Sequence, residues 1–210
     1  MRSLTFFSTS RPDFALISSL LNLSNITEIV KVNLVIFNDV GNYNSIKNVK
    51  KIIVNCSTQV DLVNKNNLEM EISNCLLTLK KDDPNTVIFL IGDRWEALFV
   101  AYKCLLLKIP LIHHSGGDIT NGAIDNQIRD AITALSDFHL TSHPLHTKRV
   151  IKLGEHPSKV ITVGEPTLNR LQKKIQITKE NILNEEAKEK FVLCTFHAST
   201  LDKLTYEEQA

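Results

Sequence analysis

The sequence predicts an α/β fold built on a doubly wound parallel sheet. Short apolar runs recur along the chain, each followed by a polar turn and then by a segment with apolar residues at helical spacing. The clearest strand, Thr86–Ile91, is an unbroken apolar run, which is typical of a strand buried on both faces of a parallel sheet. In such sheets ligands bind beyond the carboxyl ends of the strands, so functional residues are expected there.

The elements follow one another with regular alternation. Pro12 opens the first helix at a first-turn position that tolerates proline. The predicted strands are Leu4–Ser8, Ile29–Phe37, Lys51–Asn55, Thr86–Ile91, Pro110–His113, Phe138–Thr141 and Val160–Val163. The later helices are predicted over Leu62–Leu79, Arg94–Leu107, Ala123–Leu135 and Leu145–Leu153.

This alternation assigns residues 1–165 to one Rossmann-like domain. Residues 166–190 are polar and rich in Glu and Lys, which indicates a connector. Phe191–Phe196 reads as the first strand of a second domain, of which residues 191–210 supply only a strand and a helix. A single strand and helix cannot bury a core, so we expect this second Rossmann-like domain to be truncated.

The composition excludes several function classes. With 210 residues, 43% hydrophobic residues and a formal charge of +1, the chain lacks the basic excess of a nucleic-acid-binding or membrane-surface protein. No apolar stretch approaches the ~20 residues that span a bilayer, and no signal peptide is predicted, so we expect a cytoplasmic protein. The four cysteines lie far apart, which favours structural thiols in a reducing compartment.

Polar residues cluster after two of the predicted strands. Gly92-Asp93-Arg94 follows Thr86–Ile91, and Asp93 is either the N-cap of the next helix or a carboxylate in the crevice. The segment from His113 to Asp118 follows the next strand. Its Gly116-Gly117 pair allows positive φ and a close approach of the backbone to a ligand, although a simple polar turn also fits.

Two further features are weaker on their own. Adjacent His113 and His114 project to opposite sides of a strand, which makes them poor joint metal ligands. Asp125 and Arg129 lie four residues apart on one helical face, as a surface ion pair or as crevice groups.

The order of these motifs resembles the hydrolysing UDP-N-acetylglucosamine 2-epimerase family of sialic and legionaminic acid pathways. The resemblance rests on GDRWE from Gly92, on IPLIHHSGGDITNGAIDNQIRDAIT, and on RVIKLGE followed by VGEP. An early SRPDF and a late TFHAST also match the family pattern. The resemblance implies the N-terminal half of a glycosyltransferase-B type two-domain fold, with a UDP-sugar between the domains, no cofactor, and a homodimer as the assembly to expect.

The resemblance also implies roles for individual residues. The implied catalytic carboxylates are Asp93, Asp118 and Asp125. The implied substrate-binding residues are Arg11, Arg94, His113, Gly116, Gly117, Arg129 and His197. The implied reaction releases UDP and a free sugar inverted at C2 for nonulosonic-acid or surface-polysaccharide synthesis.

Several positions depart from the family pattern. Ser115 stands where many members have Glu, Asn126 replaces a Glu, and Asp130 replaces a His. A hydroxyl cannot take the proton-transfer role of a carboxylate at neutral pH. With the truncated second domain, these departures lead us to expect no activity from this chain alone. The alternatives are therefore a catalytically inactive remnant or interaction module of the same fold, or a nucleotide-sugar glycosyltransferase of similar architecture.

Overall fold

The computed structural model describes residues 3–23, 25–37, 49–54 and 65–168. The strands are β1 (Ser3–Ser8), β2 (Lys31–Phe37), β3 (Lys50–Val54), β4 (Val87–Ile91), β5 (Leu111–His114), β6 (Phe138–Thr141) and β7 (Val160–Thr162). The helices are α1 (Arg11–Leu23), α2 (Ile26–Ile29), α3 (Lys65–Asp82), α4 (Trp95–Leu107), α5 (Asp125–Ala134) and α6 (Pro144–Lys152). A 3₁₀ turn, Pro157–Lys159, precedes β7.

The strands form one sheet of seven in the order β3-β2-β1-β4-β5-β6-β7, and every neighbouring pair is parallel. The chain first winds outward from β1 to β3, then returns to lay β4 beside β1 and winds outward on the other side. The winding direction therefore reverses between β1 and β4, and the loops that follow these two strands diverge to leave a crevice. The predicted doubly wound parallel sheet is confirmed.

The sheet is buried on both faces because consecutive side chains of a strand point to opposite sides. Phe7 of β1 and Leu90 of β4 pack with α3 and α4 in one apolar cluster. Phe6 and Phe89, one residue earlier on the same strands, pack with α1 in the other. The Phe6 and Phe89 ring centroids are 4.9 Å apart, which fixes the two central strands at the switch point.

Within the described residues the observed elements match the predicted ones to within a few residues, with two additions, α2 and the 3₁₀ turn. The predicted second strand, Ile29–Phe37, begins only at Lys31, because Ile26–Ile29 form the short helix α2. Ile29 is 71% exposed, so its apolar character does not mark a buried strand. The predicted second domain, Cys56 and Cys194 lie outside the described residues, as does nearly all of the connector.

In the described part of the chain, no helix combines the length and the apolar character needed to cross a membrane. Cys104 is buried among the apolar side chains of α3 and α4, and burial raises the pKa of its thiol. Cys75 is partly buried, and burial raises the pKa of its thiol to about 11. Both residues are free thiols in the structure.

Candidate active site

The loop after β1 forms one side of the crevice and is held by a buried carboxyl group. Asp13 in the first turn of α1 accepts hydrogen bonds from the main-chain N of Thr9 at 3.1 Å and from its hydroxyl at 2.5 Å. Burial raises the pKa of Asp13 despite these hydrogen bonds, which lower it. A Cβ built at Gly92, after β4, would lie 3.8 Å from Asp13 Oδ1. Asp13 therefore lies at the switch point, beside the loops that follow β1 and β4. Asp13 was not singled out from the sequence, although the Ser-x-x-Asp spacing from Ser10, typical of a helix capping box, is a signal that could have found it.

Arg129 contacts residues of both loops that form the site. Its side chain lies on α5, only 4% of the residue is exposed, and Nη2 pairs with Oδ2 of Asp93 after β4. Nη1 donates to the main-chain oxygen of Asp118 at 2.8 Å, and Nη2 also contacts the Thr120 hydroxyl at 3.2 Å. Its buried Nε has no hydrogen-bond partner among the described residues. One guanidinium therefore links the loops after β4 and β5.

This pairing decides two alternatives that the sequence left open. Asp93 is not the N-cap of α4, because Arg94 occupies that position with an extended backbone and no side-chain capping bond. Arg129 makes its ion pair with Asp93, across 36 residues of sequence, and not with Asp125. Asp125 is the first residue of α5 and is partly buried.

The loop that follows β5 presents Asp118. Its side chain is 50% exposed, Oδ1 accepts the main-chain N–H of Ile119 at 2.8 Å, and His146 Nε2 on α6 lies 3.6 Å from the same oxygen. Asn126 fixes the loop end by a two-way contact with the Thr120 main chain, at 2.9 Å to its N and 2.6 Å to its O. The amide that replaces a family carboxylate therefore supports the loop, a role that the sequence did not indicate.

His113 is fully buried beneath this loop. Nε2 lies 2.9 Å from the Gly92 main-chain oxygen, and Nδ1 lies 3.2 Å from the Thr133 hydroxyl. Because a carbonyl can only accept, Nε2 carries a proton and donates it to Gly92. Burial lowers the pKa of His113 to about 4, so the ring is neutral at pH 7. With both nitrogens engaged by protein groups, His113 supports the site from below, and its expected direct contact with substrate does not fit this placement.

The two glycines pack against protein. A Cβ at Gly116 would meet the Thr133 hydroxyl at 2.9 Å, and one at Gly117 would overlap the main-chain oxygen of His146. Gly117 has φ +83°, so the predicted positive φ is present. At both positions the space that a side chain would need is occupied by α5 or α6, and the close approach of this backbone to a ligand stays a prediction.

Ser115 and His114 form a second local pair. The Ser115 hydroxyl lies 2.7 Å from His114 Nδ1, and His114 Nε2 lies 3.3 Å from the Gly164 main-chain oxygen. We assign the ring proton to Nε2, so the serine hydroxyl donates to Nδ1. Burial lowers the pKa of His114. His113 and His114 thus face different partners, as their adjacent positions on a strand predict.

The remaining predicted residues lie apart from this network or outside the description. Arg94 forms two contacts with Glu96, at 2.9 and 3.1 Å, and these hydrogen bonds raise its pKa. Arg11 begins α1, and its side chain is not described. His197 lies outside the described residues. Within residues 3–23, 25–37, 49–54 and 65–168, no group of three or more His, Cys, Asp or Glu side chains could hold a metal ion.

A seven-stranded parallel sheet whose winding reverses, with a carboxylate–guanidinium network at the carboxyl ends of β4 and β5, defines a doubly wound α/β protein with a candidate ligand site at that edge. Residues 50–209 match the family model "UDP-N-acetylglucosamine 2-epimerase". The chain belongs to this family, and the resemblance noted in the sequence is confirmed.

Individual relatives agree with this assignment. The chain is 38% identical over 122 residues to "GDP/UDP-N,N'-diacetylbacillosamine 2-epimerase (hydrolyzing)" of Campylobacter jejuni, covering 55% of this chain and 31% of that protein. It is 44% identical over 77 residues to "Polysialic acid biosynthesis protein P7" of Escherichia coli, covering 37% and 20%. The crystal structure of UDP-GlcNAc 2-epimerase from Neisseria meningitidis bound to UDP-GlcNAc superposes with a TM-score of 0.63 at 17% identity, covering 85% of this chain and 51% of that one. The chain thus spans under a third of these curated relatives and about half of the solved structure.

Proposed function

We propose that the chain provides one wall of the active site of a hydrolysing UDP-sugar 2-epimerase. The observation that carries the proposal is the network in which buried Arg129 joins the Asp93 carboxylate to the main chain of Asp118. The network lies at the carboxyl ends of β4 and β5, next to the switch point where α/β sheets bind ligands. The family assignment supplies the substrate class, a UDP-linked N-acetyl sugar.

The reaction needs carboxylates for two reasons. The C2 proton of the sugar is not acidic, so a positioned base must remove it as UDP departs from C1. The breaking C1–O bond develops positive charge at C1, which nearby carboxylates stabilise. Water then adds across the C1–C2 double bond, with hydroxyl at C1 and a proton at C2 on the opposite face. The products are UDP and the free 2-epimerised sugar.

Asp93, Asp118 and Asp125 are the groups to which we assign this chemistry. Arg129 contacts Oδ2 of Asp93, so proton transfer by Asp93 is assigned to Oδ1. Asp118 is half exposed at the mouth of the crevice and Asp125 is partly buried at the start of α5, where each is accessible to a ligand. Arg129 keeps its two loops in register while the carboxylates act.

We assign binding of the diphosphate to Arg11 and Arg94, with His197 stabilising the departing UDP. Arg94 is 45% exposed, and its contact with Glu96 is reversible, so a phosphate can replace that carboxylate.

The cytoplasm, where we expect the protein, is a reducing compartment compatible with its free Cys75 and Cys104.

The direct test is turnover of two substrates, UDP-N-acetylglucosamine and UDP-N,N'-diacetylbacillosamine. Each is incubated with the chain itself and with the chain extended by any coding sequence found downstream of it. We expect release of UDP with the free 2-epimerised sugar in at least one combination. Asp82→Asn, which alters an exposed pair with Lys50, is the matched control and keeps wild-type turnover. Absence of both binding and turnover in every combination would identify an inactive member of the family and contradict the proposal.

A further inference from the structure

The main-chain oxygen of Asp118 is held by two guanidinium groups. Arg129 Nη1 donates to it at 2.8 Å from α5, and Arg149 Nη1 donates to it at 3.3 Å from α6. A carbonyl oxygen has two lone pairs, so both bonds can form together. The residue proposed to act on the sugar is therefore fixed through its backbone from two helices.

Each guanidinium is itself held by a carboxylate. Asp93 holds Arg129, and Asp130 of α5 holds Arg149 by a bidentate contact, with Nη1 2.8 Å from Oδ1 and Nη2 2.7 Å from Oδ2. A bidentate pair fixes the plane of the guanidinium and not merely its charge. Asp130, which replaces a family histidine and in the sequence counted against activity, thus has a partner directly behind the loop.

Helix α6 contacts the same loop at two further points. The Gly117 backbone packs on the main chain of His146, and His146 Nε2 lies 3.6 Å from the Asp118 carboxylate. Arg149 lies three residues further along, on the same side of the helix. The loop at Asp118 is therefore supported from one face of α6, and Asp130 fixes the arginine of that face.

We propose that Asp130 and Arg149 are positioning residues that hold the Asp118 main chain, and with it the Asp118 carboxylate, at the mouth of the crevice. The catalytic part of this inference rests on the proposed function, because that function assigns Asp118 its role. The positional part rests only on the contacts of Arg149 with Asp130 and with the Asp118 oxygen.

Amide hydrogen–deuterium exchange of the full chain tests the positional part. In Asp130→Asn and Arg149→Met, we expect the amides of residues 116–120 to exchange about three- to tenfold faster than in the wild type, because the loop opens locally. The matched control is Glu69→Gln, which removes the partner of Lys103 between α3 and α4, and it leaves that exchange unchanged. Wild-type exchange of residues 116–120 in both Asp130→Asn and Arg149→Met overturns the proposal.

A charge exchange separates positioning from simple bracing of α5 against α6. The double variant Asp130→Arg with Arg149→Asp keeps opposite charges on the two helices, but a carboxylate at position 149 cannot donate to the Asp118 oxygen. We therefore expect exchange at residues 116–120 to remain raised. Recovery of wild-type exchange in the double variant would show that only the brace matters and would overturn the proposal.

Kinetics test the catalytic part in whichever form of the protein turns over a UDP-sugar. We expect Asp130→Asn and Arg149→Met to lower kcat about tenfold with KM within about twofold, because a displaced base loses transition-state and not ground-state interactions. Raised exchange with unchanged kcat overturns the catalytic part. If the wild type binds and turns over no UDP-sugar, the proposed function fails, while the exchange measurements still decide the positional part.

Discussion

Gly117 lies where the loop after β5 passes closest to α6. Its φ of +83° and the His146 main-chain oxygen beside its missing Cβ are two separate reasons for glycine. Gly164 offers a matched comparison, because it has φ +86° and open space where a Cβ would lie. The two glycines therefore separate backbone strain from steric overlap.

Gly117→Ala is expected to lower the free energy of unfolding by about 3 kcal/mol. The new Cβ overlaps the His146 main-chain oxygen, and the positive φ is itself strained for alanine. Gly164→Ala adds the strain alone and should cost about 1 kcal/mol. Urea unfolding of both variants measures the difference. Equal losses would show that the loop moves freely away from α6, against the packing described.

Protonation of one residue, His113, makes the free energy of unfolding depend on pH. Its pKa is about 4 in the folded protein, lowered by burial from an ordinary value of 6.5. Between these values the unfolded chain binds a proton that the folded protein does not, so the free energy of unfolding falls as the pH falls from 6.5 toward 4. At pH above 6.5 the ring is neutral in both states and contributes no slope.

The loss attributable to His113 over this range is on the order of 3 kcal/mol. His113→Gln, which cannot titrate, is expected to reduce the pH dependence by about that amount, measured by urea unfolding at pH 7, 5.5 and 4.5. Part of the slope remains in the variant, because burial also lowers the pKa of His114 and of His139. A variant with the full wild-type slope would contradict the neutral, buried assignment of His113.

At the scale of elements, the site depends on contacts between the end of β4 and the middle of α5. Asp93 and Arg129 are 36 residues apart, and Arg129 is nearly inaccessible to solvent. A buried charge that loses its partner is strongly destabilising, whereas an exposed pair contributes little. The same substitution that tests catalysis at Asp93 therefore also affects folding.

Asp93→Ala is expected to lower the free energy of unfolding by about 2–4 kcal/mol, because Arg129 loses its carboxylate. Replacing both residues, by Asp93→Ala with Arg129→Met, should cost clearly less than the sum of the single changes, with a coupling above about 1 kcal/mol. Urea unfolding of the four proteins gives the cycle. Asp82→Asn in the exposed Lys50 pair serves as the reference, with a change below about 0.5 kcal/mol. Additive losses would contradict the pairing.

How much of the structure could be predicted from the sequence also differs from one element to the next. Apolar runs such as Thr86–Ile91 mark buried strands because period and composition are local properties. The partner of Asp93 is not local, since α5 reaches it only after β5 has been placed. The spacing of Asp125 and Arg129 suggested the wrong ion pair for this reason. The contact of Asp130 with Arg149, across 19 residues, carries no local signal either.

At the scale of the whole molecule, the winding order gathers the candidate residues. Because the sheet reverses between β1 and β4, the loops that carry Asp13 and Asp93 lie side by side, and β5 adds Asp118 next to them. The sequence predicted this edge of the sheet, and residues 50–209 match the UDP-N-acetylglucosamine 2-epimerase family model. The proposed roles of the three carboxylates can be tested, because the reaction exchanges the hydrogen at C2 of the sugar with solvent.

The most direct measurement is turnover of UDP-N-acetylglucosamine in D₂O by whichever form of the protein is active, with the released sugar analysed by NMR. Removal of the C2 proton followed by addition of solvent predicts UDP and a free 2-epimerised sugar with deuterium at C2. Asp118→Asn and Asp125→Asn are expected to lower the rate at least about a hundredfold, because each removes a carboxylate proposed to act as acid or base, while Asp82→Asn keeps it. A product that retains protium at C2, or undiminished turnover in both carboxylate variants, would contradict the account.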